Sequence, residues 1–149
     1  MAFERTFHVA WAHLDANAHM ANTAYLDVCV DVRMMYFAAR GIGASEFARL
    51  RLGPVVRRDE VDYYRELHLL DPIRVTLALA GISEDASRFR LHNEIHREDG
   101  SMAARVTSLG GWFDLDARRL VAPPELLANA LRALDRTGDF EPLESSVRK

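Results

Sequence analysis

The chain has 149 residues, of which 49% are hydrophobic, so it is long enough to bury one core and too short for two ordinary domains. Its net charge is −3 and its basic residues are scattered, which argues against nucleic acid or an anionic membrane as the partner. The N-terminus lacks a signal-peptide core and no apolar run approaches the roughly 20 residues that cross a bilayer, so we expect a cytoplasmic protein. The one cysteine, Cys29, excludes an internal disulfide and a cysteine-rich metal site.

The chain begins with a strand and a long helix. Apolar and polar side chains alternate over residues 5–11, which is the period of a half-buried strand. A turn over residues 12–21 then leads to a helix at about 22–40, whose N-cap is Asn22 or Thr23. This helix is apolar on most of its circumference, so we expect other elements to surround it.

The remainder of the chain is rich in strands. Predicted in chain order are a short helix at 44–51, strands at 55–70, 73–79, 89–96 and 102–114, and a helix at 124–134. In the strand at 55–70 the apolar residues share one face, so we expect that face to join the core. The residues from 135 to 149 are polar, and we expect them to form a loose tail. One early helix followed by long strands is an α+β order, and we expect a single domain over 1–149 with its core at about 5–134.

The stretch from Asp15 to Tyr25 joins the first strand to the long helix. It places Asp15, His19 and Asn22 on a loop that leads into the helix N-terminus. Backbone N–H groups at a helix start lack partners, and the helix dipole is positive there. This end of the helix can therefore receive negative charge.

The same stretch carries a resemblance to a known family. Its pattern, Asp15-x-Asn-x-His19-x-x-Asn22-x-x-Tyr25, resembles the start of the central helix in the hotdog-fold acyl-CoA thioesterases, specifically the 4-hydroxybenzoyl-CoA thioesterase-like family. Further matches lie at 62–67, 70–73 and 113–116, and the resemblance covers about residues 5–134. The family usually has glycine where this chain has Ala18. If that glycine has a positive φ angle, Ala18 strains the loop or changes its path.

The resemblance implies a fold, an assembly and a reaction. The fold is an α+β hotdog, an antiparallel β-sheet wrapped around a long central α-helix. The assembly is a homodimer or homotetramer whose subunits pair edge to edge, with the active sites at the dimer interface. The reaction is the hydrolysis of an acyl-CoA thioester to a free acid and CoA. No cofactor is implied beyond the coenzyme A that is part of the substrate.

The resemblance also assigns roles to residues of the loop. Asp15 is the carboxylate that either activates water or attacks the thioester to form an anhydride. Backbone N–H groups around Asn22 are the natural site for the oxyanion. His19 either acts in catalysis or holds the loop, and Tyr25 is either core or pocket wall. The basic residues that could meet the phosphates of CoA are Arg57, Arg58, Arg88 and Arg90.

Other functions are disfavoured or left open by the sequence. No Gly-x-Ser-x-Gly elbow, P-loop or dinucleotide fingerprint is present, which disfavours a serine hydrolase or a nucleotide enzyme. His13, Asp15 and His19 lack the spacing of a known metal site, and His92 and His96 fit a solvated or pocket-lining strand face better, so we expect no metal. Two rivals remain: a hotdog enoyl-CoA hydratase, and a hotdog protein that binds acyl thioesters without cleaving them. The acyl group, and the choice between CoA and carrier-protein thioesters, stay open.

Overall fold

The computed structural model describes residues 2–147. Its helices are α1 (Asn22–Ala39), α2 (Ala44–Leu50) and α3 (Glu125–Arg132), with a 3₁₀ turn at Trp11–His13. Its strands are β1 (Phe3–His8), β2 (Leu52–Tyr63), β3 (Pro72–Ser83), β4 (Arg88–Arg97), β5 (Met102–Asp114), β6 (Arg119–Val121) and β7 (Arg136–Leu143). None of the helices within this part of the chain is both long and apolar enough to cross a membrane.

The strands form one mostly antiparallel sheet that packs against α1. Its order is β1-β3-β4-β5-β2, with β6 beside β5 and β7 parallel to part of β3. Burial alternates along β4 and the first half of β3, so every second side chain there faces the helix. The core includes Val75, Leu79, Leu91, Ile95 and Val106 from the sheet and Val28, Cys29 and Val32 from α1. The strands predicted at 73–79, 89–96 and 102–114 and the α+β order are confirmed.

Helix α1 confirms the predicted long helix but differs from its predicted burial. Val30, Met34 and Met35 lie on a face that is open to solvent in the single chain, so the expectation that other elements surround the helix is wrong. The predicted N-cap is also wrong. Ala21 holds the N-cap position without a side-chain hydrogen bond, and Asn22 is the first helical residue. The first turn of α1 therefore has no capping side chain.

A charged residue of α1 is buried in the core. Arg33 is only 5% exposed; its Nε donates to Asn93 Oδ1 at 2.9 Å and its Nη2 donates to Ser108 Oγ at 2.7 Å. Ser108 donates in turn to the carboxylate of Asp59 on β2. Burial lowers the pKa of the Arg33 guanidinium below its ordinary value. Through these hydrogen bonds one side chain ties α1 to β4, β5 and β2.

Strand β2 differs from the strand predicted at 55–70. It begins earlier, at Leu52, because Pro54 is tolerated on the edge of a sheet, where its missing N–H is not needed. It ends at Tyr63 because the next two residues donate their N–H groups to the carbonyl of Ala103. The expected core face is wrong, since β5 is the one strand that flanks β2 among residues 2–147 and most of the side chains of β2 are exposed.

The two tryptophans lie in opposite environments. Trp112 is fully buried in an aromatic cluster, with the ring centroids of Phe37, Phe47 and Phe89 at 5.7, 6.2 and 5.3 Å. Trp11 is 78% exposed. The strand predicted at 5–11 ends at position 8, and Trp11 belongs to the 3₁₀ turn that follows.

The expectation of a loose tail is wrong for Arg136–Leu143, which form β7 beside β3. The residues after β7 dock on the β3–β4 turn, where Ser145 Oγ donates to Asp85 Oδ2 at 2.5 Å. Partial burial works to raise the pKa of Asp85, but hydrogen bonds from Ser145 and from two serines of the turn hold it well below its ordinary value. Residues 148 and 149 of the expected tail lie outside the described residues.

Asp85→Ala is expected to detach residues 144–147 from the turn. The change removes an ionised acceptor of several hydrogen bonds, which costs about 1–3 kcal/mol of local stability. Amide hydrogen exchange in residues 144–147 should therefore become faster. Because folding depresses the pKa of Asp85, its contribution is complete above about pH 4, the ordinary range of an aspartate. It is lost as the pH falls towards the folded-state pKa.

Asp99→Ala is the matched control for this prediction. Asp99 also accepts hydrogen bonds from a serine, but it lies in the β4–β5 turn at the opposite end of the sheet. Its removal should leave exchange in residues 144–147 unchanged. Equal exchange rates in Asp85→Ala and the parent protein would show that Asp85 does not hold the segment.

Candidate active site

A tight loop carries Asp15 and His19 towards the start of α1. Leu14 pairs with Met20, and Asp15 N donates to His19 O at 3.0 Å, which closes the loop. Asp15 Oδ1 also accepts a hydrogen bond from Asn17 N at 2.8 Å. The two candidate side chains leave the loop side by side, with His19 Nδ1 3.9 Å from Asp15 Oδ1.

The loop turns at Ala18, whose φ angle is +63°. A left-handed conformation costs a residue other than glycine roughly 1–2 kcal/mol. Of the two outcomes expected for Ala18, the loop shows the strained one: the residue occupies the positive-φ region while its N–H donates to Asp15 O at 3.2 Å. The loop geometry is thus kept at a cost in conformational energy.

Ala18→Gly is expected to raise the free energy of unfolding by up to about 1 kcal/mol, since the strain relieved exceeds the added entropy of the unfolded chain. Ala10→Gly is the matched control, because Ala10 has a φ angle of −91° and gains no relief. That control should lose about 0.5–1 kcal/mol. Urea denaturation measures both changes, and a less stable Ala18→Gly protein would argue against strain at this turn.

Asp15, His19, Asn22 and Tyr25 all line one open cleft of about 360 Å³. The structure therefore brings together the three residues predicted to act in catalysis and one of those predicted to contact substrate. The other wall comes from the end of β2 and the segment after it, namely Tyr63, Tyr64, Arg65 and Glu66. Sequence reasoning gave Arg65 and Glu66 no role in the site. The only signal for them was the match to the family at 62–67.

The start of α1 faces this cleft through Asn22. Within residues 2–147 the N–H groups of Asn22 and Thr23 donate no hydrogen bond, as expected for the first turn of an uncapped helix. Tyr63 Oη donates to Asn22 O at 2.8 Å, which holds this turn against the end of β2. Free N–H groups at the positive end of a helix dipole can stabilise an oxygen that gains negative charge.

Tyr25 is the buried wall of the cleft. Its ring meets the ring of Tyr63 edge to face at 5.1 Å between centroids, and its Oη donates to Arg65 O at 3.2 Å. Burial raises the pKa of Tyr25 and also that of Tyr63, so both phenols keep their protons at neutral pH. Tyr25 is thus both core and pocket wall, the two interpretations that the sequence left open.

The four arginines predicted to meet the phosphates of CoA do not line this cleft in the same chain. Arg58 and Arg90 each pair with a glutamate, at 2.7 and 2.5 Å, and face a separate hollow on the side of the sheet away from α1. Arg88 donates to a serine of the C-terminal segment, and Arg57 is exposed on β2. Their role towards CoA stays a prediction.

His92 and His96 share one carboxylate on the outer face of the sheet. Their Nε2 atoms lie 2.9 and 3.1 Å from the carboxylate oxygens of Glu94. Partial burial works to raise the pKa of Glu94, but these hydrogen bonds hold it below its ordinary value. In the part of the chain that the structure describes, no three histidine, cysteine or acidic residues are arranged to hold a metal ion.

Comparison with known proteins gives both a sequence match and a fold. A sequence model of the thioesterase-like superfamily matches residues 9–131. No curated protein matches the chain.

Solved structures share the fold. A hypothetical protein from Staphylococcus aureus, solved in complex with CoA, is 25% identical, with a TM-score of 0.81 over 89% of this chain and 82% of that one. A 1,4-dihydroxy-2-naphthoyl-CoA thioesterase from Synechocystis is 18% identical, with a TM-score of 0.80 over 90% and 98% of the two chains. A DHNA-CoA thioesterase from Staphylococcus aureus is 15% identical, with a TM-score of 0.74 over 81% and 80%. The antiparallel sheet packed against one long helix is thus the hotdog fold predicted from the sequence.

Proposed function

The chain belongs to the thioesterase-like superfamily, and from this membership we propose that it hydrolyses an acyl-CoA thioester to a free acid and CoA. The observation that carries the proposal is the cleft in which Asp15 and His19 lie beside the free N–H groups of α1. Thioester hydrolysis needs an oxygen delivered to the carbonyl carbon and donors for the oxyanion that develops. The cleft offers a group for each task.

Asp15 delivers the oxygen by one of two routes. As a general base, its carboxylate takes a proton from water while the water oxygen bonds to the carbonyl carbon. As a nucleophile, a carboxylate oxygen bonds to that carbon itself, and water then hydrolyses the anhydride. In both routes the carbonyl π electrons move onto oxygen, where the N–H of Asn22 donates to the oxyanion. Collapse breaks the C–S bond, and the released thiolate takes up a proton.

His19 completes the constellation beside Asp15. At 3.9 Å between Nδ1 and Oδ1 the pair is too long for a hydrogen bond, and such contacts often shorten when substrate binds. The His19 imidazole thus lies next to the Asp15 carboxylate, which is the proposed base or nucleophile. The likeness to the Staphylococcus aureus protein solved with CoA supports CoA as the thiol part of the substrate. The proposed reaction needs no cofactor beyond the CoA of the substrate. The proposed location of the protein is the cytoplasm.

A second copy of the chain is the proposed partner at the edge of β2. This strand has 12 residues and, within residues 2–147, pairs with β5 alone, so its other edge carries backbone groups that are unpaired in this part of the chain. Its basic residues, Arg57 and Arg58, come before its acidic residues, Asp59, Glu60 and Asp62. An antiparallel copy brings the basic half of each strand beside the acidic half of the other, whereas a parallel copy brings like charges together. Sedimentation velocity tests the homodimer directly.

Thiol release from a panel of acyl-CoAs tests the reaction. The panel contains aromatic, short-chain and long-chain acyl groups, together with acyl carrier protein thioesters. We expect thiol release from at least one class, detected with a thiol reagent. Hydration of an enoyl-CoA without thiol release would instead favour the hydratase. Binding of acyl-CoA without turnover of any substrate would favour a binding protein, and either result would overturn the thioesterase proposal.

A further inference from the structure

Five acidic and imidazole groups alternate in a line that begins at Asp15. His19 Nδ1 lies 3.9 Å from Asp15 Oδ1, and His19 Nε2 lies 3.6 Å from Glu66 Oε2. The other oxygen of Glu66 lies 3.8 Å from His68 Nε2, and His68 Nδ1 lies 3.6 Å from Asp71 Oδ2. We call these five residues the acid–imidazole chain. In His19, Glu66 and His68, one of the two polar side-chain atoms faces the preceding residue of this row and the other faces the next residue.

The alternation places potential hydrogen-bond donors beside acceptors, at separations of 3.6–3.9 Å that are longer than a hydrogen bond. An ionised carboxylate only accepts hydrogen bonds, whereas an imidazole donates from whichever nitrogen carries hydrogen. With a carboxylate on either side, the His19 ring turns a nitrogen towards each of them in one orientation only; a neutral ring donates from one nitrogen and a doubly protonated ring from both. Glu66 therefore favours the orientation of His19 in which the other ring nitrogen faces Asp15.

The backbone fixes the acid–imidazole chain at its far end and in its middle. Asp71 Oδ2 accepts a hydrogen bond from His68 N at 2.8 Å. Leu67, next to Glu66, is fully buried, and its carbonyl accepts from Met20 N at 2.7 Å. The segment that carries Glu66 is therefore packed against the loop that carries the reacting carboxylate.

We propose that Glu66 is a positioning residue, which orients the Asp15 carboxylate through His19. This inference rests on the proposed function and deepens it, because it assigns a role to a residue outside the loop that resembles the family. Glu66 acts on Asp15 through the imidazole and has no chemical step of its own.

The exposure of these groups sets the size of the effect. The side chain of Glu66 is 60% exposed and that of His19 is 32% exposed, and ion pairs in such surroundings are weak. The other titratable or charged groups that line the cleft are Arg65, Tyr25, Tyr63 and Tyr64. We expect kcat to fall about two- to fivefold when Glu66 loses its charge, a much smaller loss than for the reacting carboxylate.

Glu66→Gln tests the proposal, because it keeps the shape of the side chain and removes its charge. The matched control is Glu84→Gln, an exposed glutamate at the other end of the sheet. Glu66→Asp keeps the negative charge, so its kcat should lie between the values of Glu66→Gln and the wild type. The measurements are kcat and KM for an acyl-CoA that the wild type cleaves, and the ¹⁵N shifts of the His19 ring. These shifts report which ring nitrogens carry hydrogen, and His19→Asn assigns them.

The expected result is a lower kcat with unchanged KM in Glu66→Gln, together with altered His19 nitrogen shifts that Glu84→Gln does not show. Wild-type nitrogen shifts or a wild-type kcat in Glu66→Gln would overturn the role of Glu66. The nitrogen shifts need no substrate, so the two hypotheses fail separately. A wild type that releases no thiol refutes the proposed function, whereas unchanged shifts refute the positioning role.

Discussion

Asp15→Asn is expected to lower kcat for thiol release by about 10²-fold or more, the size that corresponds to loss of a positioned base. The amide keeps the oxygen that accepts a hydrogen bond from Asn17 N at 2.8 Å, so the loop should hold its shape. What the change removes is the negative charge. A neutral amide neither takes a proton from water nor attacks the thioester, so both routes fail. The N–H of Asn22 remains available, so KM should change little.

Asp31→Asn is the matched control for this loss of activity. Asp31 is an exposed aspartate of α1 that does not line the cleft, so the variant loses the same charge and should keep the wild-type kcat. Steady-state thiol release with the best acyl-CoA of the panel measures both variants. Unchanged turnover in Asp15→Asn, across every substrate that the wild type hydrolyses, would refute the role of Asp15.

Arg33→Met is expected to lower the free energy of unfolding by about 2–4 kcal/mol, because two buried acceptors lose a charged donor and each such loss costs about 1–3 kcal/mol. The acceptors are Asn93 Oδ1 at 2.9 Å and Ser108 Oγ at 2.7 Å. Methionine fills most of the space of the arginine stem, so a cavity adds little to the cost. Urea denaturation, monitored by the near-ultraviolet signal of the core, measures the change.

Arg40→Met is the matched control, because it shows how much stability is lost when an exposed arginine of the same helix is replaced by methionine. Arg40 is exposed at the C-terminal end of α1, and its removal should change the free energy of unfolding by less than about 0.5 kcal/mol. If Arg33→Met were as stable as Arg40→Met, the buried hydrogen bonds would make no net contribution to folding.

The elements that could be predicted from the sequence are those where a local pattern and the final packing agree. Alternating burial along β4 matches the two-residue repeat of its sequence, and the apolar run after position 22 gives α1. The end of β2 is set by hydrogen bonds to Ala103, which no local pattern reveals. Arg33 gave no sign of its burial, because its partners lie 60 and 75 residues further along the chain.

The candidate site was predictable where it is continuous in the chain. Asp15, His19 and Asn22 belong to one short stretch, so their spacing alone placed them together. Tyr63 reaches the backbone of Asn22 from 41 residues away, and Glu66 reaches His19 through the fold of the segment after β2. Those contacts depend on tertiary packing, which local spacing does not encode.

The two tryptophans give this protein two separate fluorescent reporters. Trp112 is sealed among aromatic rings, so a shift of its emission to longer wavelength follows the loss of the core. Trp11 is 78% exposed and belongs to the 3₁₀ turn that precedes the Asp15 loop, so a change in its intensity on adding acyl-CoA would be a signal for the proposed binding at that loop. Trp11→Phe leaves the signal of Trp112 alone, which follows unfolding, and Trp112→Phe leaves the signal of Trp11 alone.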